Sequence, residues 1–171
     1  MEKDGQSLNK KNNKFNTKAI HQGQTPEKLY GSVSLPIYQT STFKQNEFGE
    51  YIFDYSRADN PTRQNLEKNI ASLEGGIGAI AFASGMAAIS SVCQMFSAGD
   101  ELIFTYDVYG GTYRFMENIM KRFNLKVHWI NTSEISEIES KLSSKTKMIF
   151  IETPTNPMMA ISDIEKISEI T

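Results

Sequence analysis

The chain has 171 residues, of which 39% are apolar and 22% are charged, and its formal net charge is −2. This length provides one domain with a hydrophobic core of its own. The charge balance excludes the basic surface typical of nucleic-acid-binding proteins, and no apolar run in the sequence reaches the length that spans a membrane.

The amino-terminal third of the sequence gives few structural signals. Residues 1–16 are polar and rich in Lys and Asn, which predicts a loosely held segment rather than a secretory signal. Residues 17–53 show no long periodic segment and are interrupted by Gly, Pro, Ser and Thr, which is typical of an extended arm. The one cysteine, Cys93, cannot form an internal disulfide, so we expect a buried structural thiol in a cytoplasmic protein.

A helix is predicted to begin after Asn60, because Asn caps a helix well and the following proline fits the first helical position. Leu66, Ile70 and Leu73 recur on one face of it, and a Gly-Gly pair ends it. Apolar segments and helical patterns then alternate. Strands are predicted at residues 79–83, 101–105, 126–130 and 148–151, and helices at 86–96, 111–122, 135–142 and 162–170.

This alternation predicts an α/β fold, with a mostly parallel sheet covered by helices on both faces. Ser162 and Glu165 have the spacing of a capping box for the last helix. The sequence stops inside that helix, just after a strand, which would leave an open apolar sheet edge. We therefore expect an incomplete polypeptide.

Ligands of open α/β sheets bind at the carboxyl ends of strands, beside the amino termini of helices. At the first such junction, Ser84, Gly85 and Met86 follow a predicted strand and open a predicted helix. The small glycine and the free N–H groups of the helix would form a phosphate cradle. A glycine required only for a tight turn explains the pattern equally well.

Three further segments carry polar or aromatic residues in turns. Tyr109 precedes a Gly-Gly pair and would lie flat against a planar ring, although a surface tyrosine beside a flexible turn is favoured when it is taken alone. Asn156 stands between two prolines that would orient its amide, or simply belongs to a Pro-rich turn. Tyr55 and Arg57 come before the sheet and would offer phosphate a hydroxyl and a bidentate guanidinium. The alternative is that Arg57 is a solvated arginine on a loop. The two histidines are far apart in sequence, so no metal site is predicted.

Taken together and in order, these segments are far more specific than any one of them. Tyr-Ser-Arg-Ala-Asp-Asn-Pro-Thr at 55–62, Ser-Gly-Met-Ala-Ala at 84–88, Tyr-Gly-Gly-Thr at 109–112 and Glu-Thr-Pro-Thr-Asn-Pro at 152–157 resemble the Cys/Met-metabolism enzymes that use pyridoxal 5′-phosphate (PLP). This family includes cystathionine γ-synthases, cystathionine γ- and β-lyases, O-acylhomoserine sulfhydrylases and methionine γ-lyases. The resemblance implies the type I PLP-transferase fold and a homotetramer built from tight homodimers.

The resemblance also assigns roles to positions in these segments. The turn at 84–86 would bind the PLP phosphate, largely through backbone N–H groups, and Tyr109 would stack on the pyridine ring and relay protons. Asn156 would contact the ring oxygen or the amino-acid substrate. Tyr55 and Arg57 would reach the phosphate of the neighbouring subunit's cofactor. The implied cofactor-binding residues are Tyr55, Arg57, Ser84, Gly85, Met86, Tyr109 and Asn156.

PLP chemistry needs a lysine for the Schiff base and a carboxylate at the pyridine nitrogen. In the family both follow the Asn-Pro turn, at positions that would come after Thr171. We therefore expect a PLP-dependent enzyme as the full-length protein and an inactive chain when these 171 residues stand alone. Residues 1–54 would form a subunit-contact arm, and 55–171 the first part of the PLP-binding domain.

The choice of reaction rests on two positions. Gly111 stands where methionine γ-lyases have cysteine, and Asn156 is closer to the γ-synthase and γ-lyase pattern than to the distant β-lyase branch. We expect an enzyme that makes or breaks the C–S bond of cystathionine, a γ-synthase or γ-lyase first, with β-lyase and O-acylhomoserine sulfhydrylase as alternatives. A non-catalytic protein that binds a phosphate ligand or a partner subunit is the alternative of another class.

Overall fold

The computed structural model describes residues 13–171, so most of the predicted loosely held segment 1–16 lies outside the described residues. Contacts divide the chain into two compact units, a first that ends at Ala81 and a second that covers Phe82–Thr171. The sequence predicted another division, after residue 54, between a subunit-contact arm and the domain that follows it. That division is one of function, and it stays a prediction.

The first unit contains helices α1 (Phe15–His21) and α2 (Pro61–Leu73). As predicted, Asn60 caps α2, and its side-chain oxygen accepts a hydrogen bond from the Thr62 N–H. The side-chain amide of Asn69 in α2 donates to carbonyl oxygens at the end of α1, which holds the two helices together. The arm between them has turns and isolated bridges, but α1 itself was not predicted, because seven residues give too short a periodic signal.

The second unit is built around a three-stranded parallel sheet with the order β2-β1-β3. Its strands are β1 (Glu101–Thr105), β2 (Lys126–Ile130) and β3 (Thr146–Phe150). Its helices are α3 (Gly85–Cys93), α4 (Gly110–Asn118), α5 (Ile135–Lys141) and α6 (Ile164–Glu169), with a 3₁₀ turn at Met120–Phe123. The predicted α/β class is confirmed, and two strands have the predicted bounds.

The two faces of β1 point into two separate clusters of buried side chains, because successive residues of a strand alternate between faces. Leu102 and Phe104 pack with Cys93 of α3 and with the methionines of α4 and the 3₁₀ turn. Ile103 packs on the opposite face with α5 and α6. Burial raises the pKa of the Cys93 thiol to about 11, as expected of a structural cysteine.

Two predicted features are absent from the structure. Residues 79–83 do not form a strand, since none of residues 13–171 pairs with them in a ladder, and a strand needs a neighbour for its backbone groups. The capping box was also wrong. Ser162 is buried, and its hydroxyl lies 2.6 Å from that of Thr132, so Asp163 caps α6 instead by accepting from the Lys166 N–H.

Candidate functional site

The phosphate cradle is predicted at the amino terminus of α3 (Gly85–Cys93). Ser84 is the N-cap, with an extended backbone, and its hydroxyl oxygen accepts from the Ala87 N–H at 3.1 Å. Helix geometry leaves the N–H groups of Gly85 and Met86 without an intrahelical acceptor, and no group in the part of the chain that the structure describes accepts from them. The amino end of this helix therefore presents free donors beside the positive end of its dipole.

Gly85 is not required by the local backbone. Its φ is not positive, and a Cβ built at this position would meet no atom within 4 Å. The tight-turn explanation therefore finds no support in the geometry. A small side chain at this position would leave the N–H of residue 85 open to a ligand.

Tyr109 precedes α4, and its ring lies against the backbone of the turn. A Cβ built at Gly111 would stand 2.3 Å from Cε1 of the Tyr109 ring, closer than real Cβ contacts. Gly111 thus leaves room for the ring beside the main chain, while half of the tyrosine stays exposed. The hydroxyl of Thr112 donates to the Met86 sulfur at 3.9 Å, which places the start of α4 beside the start of α3.

The turn that carries Asn156 follows β3 and is tied to the turn that follows β1. The Thr155 hydroxyl donates to the Asp107 carboxylate at 2.8 Å. The Glu152 carboxylate accepts from the Tyr109 N–H at 2.8 Å and from the Asn156 N–H at 3.0 Å. Both X-Pro peptide bonds of this turn are cis. The structure therefore brings Tyr109 and Asn156 together at the carboxyl edge of the sheet, as their positions after two neighbouring strands predict.

Glu152 and Asp107 are two carboxylates at this edge that the sequence did not single out. Glu152 comes two residues after β3 and Asp107 two residues after β1, at the sheet edge where functional groups of α/β proteins gather. A carboxylate just after a predicted strand was therefore a usable signal. The sequence does not reveal that Glu152 pairs with Tyr109, because the two residues are 43 positions apart.

Tyr55 and Arg57 belong to the first unit and contact each other there. The Arg57 guanidinium carbon lies 4.8 Å from the centre of the Tyr55 ring, a cation–π distance. The backbone of Tyr55 is fixed by an antiparallel bridge to Thr42. Arg57 is exposed, so its guanidinium is accessible to an anionic group.

None of the helices within residues 13–171 combines the length and the apolar character that a membrane crossing requires. Within the same residues, no three His, Cys, Asp or Glu side chains gather as a metal site would require.

The sequence model of the family described as "Cys/Met metabolism PLP-dependent enzyme" matches residues 16–171. The chain belongs to this family. Its membership confirms the predicted relationship, and PLP is the cofactor of the family.

Relatives named for different activities match this chain about equally well. The cystathionine β-lyase of Lactococcus lactis subsp. cremoris (strain MG1363) is 45% identical over 155 residues, which are 90% of this chain and 41% of that protein. The cystathionine γ-lyase of Bacillus subtilis (strain 168) is 44% identical over 158 residues, 92% of this chain and 42% of that protein. The chain thus spans about two fifths of the length of these relatives.

The fold is also found among solved structures. The crystal structure of cystathionine γ-lyase from Lactobacillus plantarum complexed with L-serine superposes with a TM-score of 0.84 and 43% sequence identity. The match covers 92% of this chain and 41% of that one.

Proposed function

We propose that this chain supplies the phosphate- and ring-binding part of a PLP-dependent trans-sulfuration enzyme, which makes or breaks a C–S bond of cystathionine or a related amino acid. The observation that carries the proposal is the open amino end of α3 at Gly85 and Met86, which Thr112 links to the turn that carries Tyr109. Free N–H donors and a flat aromatic side chain on neighbouring turns suit a phosphorylated aromatic ring.

The donor set fits PLP in its chemistry. The N–H groups of Gly85 and Met86 and the dipole of α3 would bind the phosphate dianion, and the ring of Tyr109 would orient the pyridine. The amide of Asn156 would hydrogen-bond the ring oxygen or the substrate. When bound, PLP supplies an electron sink that weakens bonds in the amino-acid substrate.

A second subunit would complete the site. Tyr55 and Arg57 would reach the phosphate of a neighbouring subunit's cofactor, in a homodimer or in a homotetramer of such dimers. The exposed guanidinium beside the Tyr55 ring supports this role, because Arg forms bidentate, charge-assisted hydrogen bonds with phosphate. The protein would be cytoplasmic, where a lone thiol such as Cys93 stays reduced.

Among the reactions of the family, we favour γ-synthase or γ-lyase chemistry. Asn156 supports this choice, whereas the names of the relatives divide between β- and γ-lyases. Assays of the full-length gene product separate the possibilities by their products. Cleavage of cystathionine to cysteine and 2-oxobutyrate shows γ-lyase activity, and formation of cystathionine from O-acylhomoserine and cysteine shows synthase activity. Release of homocysteine and pyruvate would instead show a β-lyase.

The phosphate cradle is tested directly by removing one backbone donor. Gly85→Pro deletes the N–H of residue 85, and proline suits the first helical position after an extended residue such as Ser84, whose φ is −157° and ψ is 158°. Gly85→Ala is the matched control, because it keeps the N–H and its methyl group meets no atom within 4 Å.

Binding of pyridoxamine 5′-phosphate to the full chain is measured by calorimetry, since this amine does not react with surface lysines. We expect Gly85→Ala to bind like the parent chain and Gly85→Pro to bind roughly tenfold more weakly or worse, because a hydrogen bond to a charged group is lost. Equal affinity of the two variants, or equal affinity for pyridoxamine that lacks the phosphate, would contradict the proposal.

A further inference from the structure

Glu152 is the one residue whose side chain contacts the main chain of both Tyr109 and Asn156 in the part of the chain that the structure describes. Oε2 accepts from the Tyr109 N–H at 2.8 Å, and Oε1 accepts from the Asn156 N–H at 3.0 Å. Each carboxylate oxygen thus serves one turn. Hydrogen bonds from neutral donors to a carboxylate are stronger than those between neutral groups.

The backbone of Glu152 is anchored in the interior. Its N–H donates to the Thr105 hydroxyl at 3.3 Å, and that hydroxyl lies 2.8 Å from the hydroxyl of Thr132. Thr132 in turn lies 2.6 Å from the hydroxyl of Ser162. These three hydroxyl side chains are buried, so they hold the backbone of Glu152 in place. The Glu152 carboxylate in turn holds the two turns that it bonds.

The bond to Tyr109 has no local explanation. A carboxylate that caps its own turn would account for the bond to Asn156, four residues away, but not for a bond across 43 residues. No side chain caps α4 from within its own turn, so Glu152 supplies this contact from the turn after β3. Tyr109 is 51% exposed and Asn156 is exposed, so packing alone holds neither residue in place.

We propose that Glu152 is a positioning residue that fixes the distance between Tyr109 and Asn156, and with it the width of the site that receives the cofactor ring. The importance of Glu152 for catalysis rests on the proposed function, whereas its hydrogen bonds to the two main-chain N–H groups do not. Glu152 touches neither cofactor nor substrate. It acts through the two main-chain N–H groups and leaves the Tyr109 ring and the Asn156 amide free to bind.

The contact is tested first without any ligand, by NMR amide hydrogen exchange on the full chain. In the parent chain we expect the Tyr109 and Asn156 amides to be protected although both residues are exposed. Glu152→Ala should make both amides exchange at least roughly tenfold faster, and Glu152→Gln at least one of them, because a side-chain amide has a single acceptor oxygen. Buried amides of β1 should be unchanged, which shows that the fold is retained.

Asp107→Asn is the matched control. It removes one negative charge from the same pair of turns, but an Asn oxygen still accepts from the Thr155 hydroxyl, and Asp107 bonds neither amide in question. Both amides should therefore stay protected in this variant. If Glu152→Ala left both amides protected, or if Asp107→Asn released them equally, the positioning role would be overturned.

A second measurement connects the contact to the cofactor site. Circular dichroism of bound pyridoxamine 5′-phosphate, at saturation, reports how the ring is held. We expect the signal to fall at least twofold in Glu152→Ala and to persist in Asp107→Asn, an effect that loss of overall stability would not produce. An unchanged signal in Glu152→Ala would also overturn the positioning role. If the parent chain bound no pyridoxamine 5′-phosphate while the amides behaved as expected, the proposed function would fail and the contact would stand.

Discussion

Two carboxylates stand at opposite ends of the same sheet and are used in different ways. Glu101 begins β1, and its oxygens lie 3.1 Å from Lys126 Nζ and 3.1 Å from His128 Nε2. Ser143 Oγ lies 3.2 Å away. All three partners are side chains, two from β2 and one from the loop before β3. At the carboxyl edge, the hydrogen bonds that the Glu152 carboxylate accepts within residues 13–171 all come from main-chain N–H groups.

With the proposed function, one sheet would separate stability from binding. A carboxylate that bonds side chains occupies their polar groups, so fewer of these groups stay free around Glu101. A carboxylate that bonds main-chain amides leaves the side chains of Tyr109 and Asn156 free. The carboxyl edge is therefore organised and still open, as a binding site requires.

The largest effect is expected from the middle of β1, on which both edges depend. Phe104 is fully buried and packs against Phe150 and Trp129, with ring centres 4.8 and 5.3 Å away. Phe104→Ala should lower the free energy of unfolding by about 3–5 kcal/mol, because it removes apolar contacts and leaves a cavity. Urea denaturation followed by the fluorescence of Trp129, the one tryptophan, measures this loss. Phe104→Leu should cost much less, and equal losses in the two variants would contradict a tightly packed strand centre.

The next effect concerns the amino edge and pH. Hydrogen bonds from His128 and Lys126 lower the pKa of Glu101 from 4.5 to about 2. They outweigh the opposite effect of burial, which raises the pKa of this carboxylate because only 13% of its side chain is exposed. Because the folded pKa is the lower one, the carboxylate stabilises the fold above pH 4.5, and this contribution is lost as the pH falls towards 2. Glu101→Gln should therefore be less stable than the parent chain at neutral pH. The difference in urea midpoint should shrink below pH 4.5 and vanish near pH 2. A difference that stayed constant with pH would rule out the ionised carboxylate as its cause.

The sequence predicted the parts of this comparison that are local. Residues 101–105 and 126–130 were recognised as strands because each is a short apolar run, and the cap of α2 was recognised because Asn60 bonds only two residues ahead. Residues 79–83 have the same apolar character, yet they form no strand, since a ladder depends on a neighbour and not on composition.

The sequence predicted that two of the candidate residues come together but not which hydrogen bonds connect their turns. Tyr109 and Asn156 follow neighbouring strands, so parallel-sheet geometry places them at one edge. Glu152 and Glu101 were missed as organising residues because their partners lie 43 and 25–42 positions away. Ser162 was misread for the same reason, since a hydroxyl that fits a local cap instead bonds Thr132 in the interior.

A smaller effect is expected at the open edge from one added methyl group. Gly111→Ala would place a Cβ 2.3 Å from the Tyr109 ring, and the exposed ring would swing away from the turn. Affinity for pyridoxamine 5′-phosphate should fall roughly three- to tenfold through the lost ring contact, while stability changes by less than about 1 kcal/mol. Gly110→Ala is the control, because its methyl group meets only the flexible end of Arg114, at 3.1 Å. Equal binding by the two variants would show that Gly111 does not set the position of the ring.

The smallest effect is expected between the two edges of the sheet. Its measurement tests whether a change at the amino edge alters binding at the carboxyl edge. β1 has five residues, so at roughly 3.3 Å per residue the edges lie about 15 Å apart, beyond the screening length of ~8 Å at physiological salt. Glu101 is also paired with Lys126, so little of its field reaches the far edge. Glu101→Gln should therefore bind pyridoxamine 5′-phosphate within about twofold of the parent chain at neutral pH, and Glu152→Ala should keep the acid profile of the parent. A clear loss of binding in Glu101→Gln, with the fold intact, would mean that β1 transmits strain between its ends, and the edges would then have to be treated as one unit.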